Sequence, residues 1–331
     1  MFGPSERVRP LGYWSFVTAG APVLGVVAGV PLVAIFGWRT IFLIQAPLCL
    51  IGCLIAMWLL GDTERRENVK FDISGALLLG VGSVLILLAI NRGPSWGFGS
   101  MRTLLVALLG IFALYCFVRA EQSASDPMLP LKWFRTRNVA FPVVSLALTN
   151  FAYMGGFMIV PQLLETGLGF STSHIGWLII ARPLVFSLFA PFSGRISSRI
   201  GERNAGVVGA SAVLISMLIL SQINLGSSDL MIAFGLSLSG VGLGISAPAL
   251  TALLANSVEV HDLGIASAMQ QLLNQMGAVL GVAVMIGIHE ATISSGTIKS
   301  FSYALLAGAI SGGVAIFTSS AVKSTKKISL H

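Results

Sequence analysis

Thr40 to Leu60 reads TIFLIQAPLCLIGCLIAMWLL, a run that contains no charged residue. A hydrocarbon core of about 30 Å is crossed by about 20 residues of α-helix, so this run is long enough to span a bilayer. It lacks the two-residue alternation of a membrane barrel strand. The same reading repeats along the chain near 11–36, 40–60, 72–91, 101–119, 139–162, 173–193, 204–223, 230–254, 263–288 and 300–320. Backbone groups in lipid must be hydrogen-bonded internally, which makes these segments helices. The expected fold is therefore an all-α polytopic membrane protein with about ten transmembrane helices.

The composition agrees. Of 331 residues, 55% are hydrophobic and 10% charged, with a net charge of +7. Soluble domains carry about 25% charged residues, so an ordinary cytosolic enzyme, a disordered chain and a nucleic-acid-binding arm are all excluded. The cations follow topology instead. With the N-terminus inside, Arg7, Arg9, Arg65, Arg66, Lys70, Arg119, Lys132, Arg135, Arg137, Arg195, Arg199, Arg203, Lys323, Lys326 and Lys327 fall on the inner side. Only Arg39, Arg92, Arg102 and Lys299 fall outside. That bias satisfies the positive-inside rule and puts both termini in the cytoplasm. Cys49, Cys53 and Cys116 lie in apolar runs with no metal-ligand spacing, so they are expected to be buried apolar side chains, with no metal site. No phosphate-binding glycine loop is present, and no His/Asp/Ser constellation or acid pair suggests an enzyme.

Two segments echo each other. Val23-Leu24-Gly25-Val26 recurs as Val279-Leu280-Gly281-Val282, with small residues four positions earlier at Ala21 and Gly277. The two segments lie eight spans apart, which equals a six-helix repeat plus two inserted helices; parallel six-helix halves are a known transporter plan.

Ala21-Pro22-x-x-Gly25-x-x-x-Gly29 followed by Trp38-Arg39-Thr40-Ile41-Phe42-Leu43-Ile44-Gln45-Ala46-Pro47 resembles the fifth and sixth helices of the major facilitator superfamily, in its fourteen-span drug:proton antiporter branch. Four further stretches resemble that family in the same order. They are Phe71-Asp72-x-x-Gly75, Pro127-Met128-Leu129-Pro130, Gly194-Arg195-Ile196-Ser197-Ser198-Arg199-Ile200-Gly201-Glu202-Arg203, and Gly264-x-Ala266-Ser267 with Gln275-x-Gly277-x-x-x-Gly281-x-Ala283. Ser198 and Glu202 depart from the family loop, which has an acidic and a basic residue there.

The resemblance implies a chain that lacks the first four helices of the family. Residues 1–62 would be the last two helices of a truncated N-terminal bundle, and 63–120 two inserted helices. Residues 121–138 would be a cytoplasmic loop, and 139–331 a complete C-terminal six-helix bundle with a basic tail. It further implies a bacterial inner-membrane exporter of small amphipathic, drug-like compounds, with no cofactor and a proton gradient as its energy source. Its partners would be the lipid bilayer and the substrate, and another polypeptide if the missing helices come from one. The alternatives are a non-transporting fragment and a membrane-embedded transferase.

Arg182 is the sharpest single feature. Nine residues into its span, it stands about 14 Å deep, where a charge costs about 2.5–3.5 kcal/mol on insertion scales. Two readings stand open: a cavity-lining substrate or coupling group, or a structural cation hydrogen-bonded to neighbouring carbonyls or paired with a group on another helix. Ser267, Gln270, Gln271, Asn274 and Gln275 share one helix face and are read as a polar stripe; Gln271, Asn274 and Gln275 join Asn150 and Gln162 as substrate candidates. Gly194, Arg195, Arg199, Gly201 and Arg203 form the expected gating loop. Ala21, Pro22, Gly25, Gly29, Gly277 and Gly281 are the expected close-packing positions.

Overall fold

The computed structural model describes residues 8–59, 72–123, 131–259 and 262–323. These form α1 (Val8–Phe36), α2 (Arg39–Leu59), α3 (Ile73–Trp96), α4 (Met101–Ser123), α5 (Arg137–Gln162), α6 (Thr172–Phe189), α7 (Ser193–Ile200), α8 (Glu202–Ser221), α9 (Asp229–Asn256), α10 (Leu263–Thr292) and α11 (Thr297–Ala321). Ten helical stretches among the described residues are long and apolar enough to span a membrane, at the places the sequence indicates. Arg7, Arg65, Arg66, Lys70, Pro127 to Pro130, Lys326 and Lys327 lie outside the described residues, as do residues 124–130 of the connection at 121–138.

The spans end where the chain supplies caps. Ser171 and Ser228 accept hydrogen bonds from the backbone N–H groups of His174 and Met231 and so open α6 and α9. The Asp72 carboxylate does the same for α3, accepting from Gly75 N at 2.9 Å and from the Ser74 hydroxyl at 2.6 Å. α5 continues into a π turn at Leu163–Gly167. One expectation needs correction: the stretch from Gly194 to Arg203, read as a loop, is mostly helical. Residues 193–200 form α7, and the chain breaks at Gly201, whose φ of +83° suits glycine.

The main apolar core lies within α5, α6 and α8 to α11, around Ile159, Leu164, Met217, Leu220, Ile232 and Phe301. Small residues set how closely these helices approach. Gly277 and Gly281 of α10 lie directly against the Ala147 and Phe151 backbone carbonyls of α5. The matching order of the two contacts shows that α5 and α10 run parallel. Gly244 brings α9 onto α6, where an added Cβ would stand 2.9 Å from the Phe186 carbonyl oxygen, and Gly242 brings α9 onto Gly209 of α8.

Outside this unit, α3 pairs with α4 and reaches α10. α1 meets the end of α6: Ser187 Oγ donates to the Phe16 carbonyl at 2.9 Å, and Gly12 abuts the Ala190 carbonyl. Pro22 lies within α1, while Gly25 and Gly29 have nothing near them. Of the two echoed segments, Gly281 packs closely and Gly25 does not. None of the residues of α2 is buried, and Cys49 and Cys53 are exposed on it, a correction to their expected burial.

Two outcomes follow. Gly281→Val forces α5 and α10 apart and lowers the thermal unfolding midpoint of the purified protein by several degrees, an overpacking cost of about 1–3 kcal/mol; Gly25→Ala leaves the midpoint unchanged. The hydrogen bonds from Ser74 and Gly75 hold the Asp72 carboxyl below its ordinary value. Its stabilising contribution is therefore complete above about pH 4 and is lost as pH falls through the native pKa. Asp72→Asn caps without titrating, so it flattens the acid limb of melting midpoint against pH.

Candidate functional site

α10 carries the densest set of polar side chains inside a span. The structure divides what the sequence joined into one stripe. Ser267, Gln271 and Gln275, four residues apart, are exposed. Gln270 turns inward, where its Nε2 donates to Thr251 Oγ1 of α9 at 2.6 Å. Asn274 lies between the two sets, and its Oδ1 is buried with no hydrogen-bond partner. A polar side chain facing hydrocarbon is unfavourable. The open row of Ser267, Gln271 and Gln275 is therefore a surface suited to water, to a polar ligand or to another helix.

The other candidates do not converge on this row. The Gly281–Phe151 register sets Asn150 level with Leu280, six residues and so about 9 Å beyond Asn274 along the parallel pair. Gln162 stands at the far end of α5, beside the π turn. Trp177 points outward with 74% of its surface exposed, whereas Tyr153 is buried.

Arg182 lies buried between α5 and α6. Its exposure is 0%. Nη1 donates to the Tyr153 carbonyl of α5 at 2.8 Å, and the guanidinium lies 5.1 Å from the Tyr153 ring. Phe186 meets the same ring edge-on. Nε and Nη2 are buried with no acceptor. Helix α6 thus buries a permanent cation with one protein carbonyl as its hydrogen-bond acceptor. Desolvating such a group costs several kcal/mol.

The end that carries the basic connections holds a second polar group. Arg195, Arg199 and Arg203 are exposed around α7, with Arg195 5.9 Å from the Phe192 ring. Gly194 and Gly201 bracket that helix, and Ser193 Oγ ties it to the Ile245 carbonyl of α9 at 2.8 Å. Helix α1 packs on this segment as well as on α6. On α4, the sequence reading missed Glu121, which is only 3% exposed. Its Oε2 and the Asp72 carboxylate both border Gly75, where α3 meets α4. The signal was available: Glu121 is an acid closing an apolar run. Among the described residues there is no group of three metal-ligating side chains. An apolar groove of about 330 Å³ runs between α3 and α10, lined by Val84, Leu88, Val279 and Val282 with Asn91 as its polar member.

Comparison with known proteins accounts for this architecture. A family model described as Major Facilitator Superfamily matches residues 1–281 and, separately, residues 142–327. The chain is 26% identical over 290 residues to the Multidrug resistance protein Stp of Mycobacterium tuberculosis, covering 88% of this chain and 54% of that protein. It is 28% identical over 285 residues to the Tetracenomycin C resistance and export protein of Streptomyces glaucescens, covering 86% and 53%. It is 25% identical over 322 residues to the Quinolone resistance protein NorB of Staphylococcus aureus, covering 95% and 68%. The chain spans about half the length of the first two.

The two buried amides of α10 differ in what their loss should do. Gln270→Leu strands the Thr251 hydroxyl and lowers stability by about 1 kcal/mol. Asn274→Leu removes an unsatisfied oxygen and leaves the melting midpoint unchanged or higher. Thermal unfolding of the two purified variants checks the contrast.

Proposed function

The chain belongs to the Major Facilitator Superfamily, and from that premise we propose that it exports small amphipathic, drug-like compounds by alternating access, in exchange for protons. The observation that carries this reading is the exposed row of Ser267, Gln271 and Gln275 on α10, a polar face within a span that the rest of the six-helix unit leaves uncovered. The resistance and export proteins named above support the class of cargo.

In this reading Gln271 and Gln275 contact the substrate, with Asn274 behind them. Asn150 and Gln162 mark the path further along α5. The basic end faces the cytoplasm of a bacterial inner membrane, so both termini are cytoplasmic. Gly194, Arg195, Arg199, Gly201 and Arg203 form the cytoplasmic gate, where α7 and the end of α6 meet the first half of α1. The single Ser187–Phe16 hydrogen bond and the Gly12–Ala190 contact are sparse enough to part when the gate opens. Ala21, Gly25 and Gly29 offer an uncovered small-residue face for another helix. The energy source is the proton gradient, with no cofactor.

A second reading is favoured by α2, which buries none of its residues. It holds that the chain transports only alongside helices contributed by another polypeptide, and by itself is a non-transporting fragment.

The test uses the purified chain in proteoliposomes with an imposed pH gradient and a fluorescent cationic dye. Gradient-driven dye movement that collapses with a protonophore is the expected result. Gln271→Leu with Gln275→Leu lowers the rate about tenfold, the loss of about two hydrogen bonds of 0.5–1.5 kcal/mol each, at an unchanged melting midpoint. Movement indifferent to the gradient overturns proton antiport. No movement by a folded chain overturns the first reading in favour of the second.

A further inference from the structure

The short helix α7 carries a pair of arginines on its open face. Arg195 and Arg199 are exposed, and among the described residues neither forms an ion pair with a carboxylate. Ser198, next to Arg199, spends its hydroxyl on the Arg195 carbonyl at 2.8 Å. Glu202, the nearest acid along the chain, is half-buried at the start of α8.

Depth decides what the pair can meet. The helical stretch Thr172–Ile200 counts 29 residues, about 44 Å at 1.5 Å per residue, which exceeds a hydrocarbon core of about 30 Å. Its start is polar, with His174 paired to Asp229 at 2.7 Å, and marks one membrane surface. The last two turns, which hold both arginines, therefore reach the headgroup layer of the other surface.

One side of this stretch shows both layers. Leu188, Phe192, Arg195 and Arg199 follow one another at spacings of four, three and four, which keeps them on one face, and all four are exposed. The apolar pair lies deeper and the arginines lie just beyond it. The Arg195 guanidinium is 5.9 Å from the Phe192 ring, so its stem follows the apolar layer while its charge stays outward. On the other side Ser193 and Ser197 are buried, and Ile196 packs with Ala205 and Ala249. The protein thus holds α7 from behind and leaves the arginine face open. Each guanidinium is a forked donor suited to phosphate oxygens. A soluble anion would use the arginines alone, whereas a phospholipid also covers Phe192 and Leu188.

We propose that this face of α7 binds the headgroup of an anionic phospholipid, with the phosphate between Arg195 and Arg199 and an acyl chain along Phe192 and Leu188. The site does not depend on the export reading.

The test is lipid binding to the purified full chain in neutral detergent, counted by native mass spectrometry. The probes are dioleoylphosphatidylglycerol, which is anionic, and dioleoylphosphatidylcholine, which is zwitterionic. The first phosphatidylglycerol binds about tenfold or more tightly than phosphatidylcholine, and Arg195→Gln and Arg199→Gln each weaken it about fivefold, the effect of one cation at an anionic surface. Phosphatidylcholine binding is unchanged in both variants. Arg135→Gln removes an exposed arginine of the same basic end and leaves phosphatidylglycerol binding unaltered. Ser198→Asp places an acid beside the pair and weakens phosphatidylglycerol binding too, so it serves if a glutamine variant does not fold. Equal affinity for the two lipids overturns the proposal, as does unchanged binding in the α7 variants. An equal loss in Arg135→Gln overturns it in favour of a general attraction of charge. Displacement of the lipid by millimolar glycerol 3-phosphate overturns it in favour of a soluble anion. A chain that binds phosphatidylglycerol here but moves no dye leaves this site standing while the export reading falls; the reverse result removes this site alone.

Discussion

Hydrocarbon offers no hydrogen bonds, and most features of this molecule answer to that constraint. Each span closes its backbone bonds within one helix, and the small hydroxyl side chains follow the same rule. Thr149, Ser246 and Thr292 bond back to carbonyls one turn earlier in their own helices. Others reach across: Ser216 to the Gly235 carbonyl, Ser311 to the Leu148 carbonyl, and Ser145 to Ser319 at 2.6 Å. These crossing bonds occur where helices already lie close. Polar satisfaction and tight packing are thus one device in the six-helix unit, and serines are tolerated at 0% exposure because each has a carbonyl or hydroxyl within reach.

Without water to squeeze out between helices in lipid, association depends on contact area and close approach. Glycine supplies both. At the α5–α10, α6–α9 and α8–α9 crossings a glycine of one helix lies on a carbonyl of the next. At the α1–α6 crossing Gly20 lies instead on a side chain, that of Ser187. The other three crossings all lie within the unit of α5 to α11. α1 packs on α6, α7 and α9 of it, and no residue of α2 is buried.

The same physics explains what could be read in the sequence. Spans were legible because a run such as Thr40 to Leu60 has one physical use, and all ten lie where the apolar runs place them. The orientation of a side chain around its helix was not legible. Gln270, Gln271, Asn274 and Gln275 occupy one broad face, yet only Gln271 and Gln275 are open, because Thr251 of α9 claims Gln270. Hydropathy measures depth, and both faces of these spans are apolar, so no periodic signal separates a lipid-facing from a protein-facing turn. Arg182 shows this most sharply: its depth followed from counting residues, while its burial depends on Gly156 and Tyr153, on a different helix. Gly25 and Gly281 look alike in sequence for the same reason. Only one of them has a backbone opposite it.

That difference bears on mechanism. A glycine pressed on a carbonyl along a whole crossing leaves no slack, so α5 with α10 and α6 with α9 must move together. Relative motion then belongs at the junction of α1 with α6, where a serine–carbonyl bond and close contacts at Gly12 and Gly20 join the two parts. Arg182 lies on the same helix as that junction, five residues from Ser187. Any motion that shifts α6 against α5 must strain the Arg182–Tyr153 bond, the principal polar tie between those two helices.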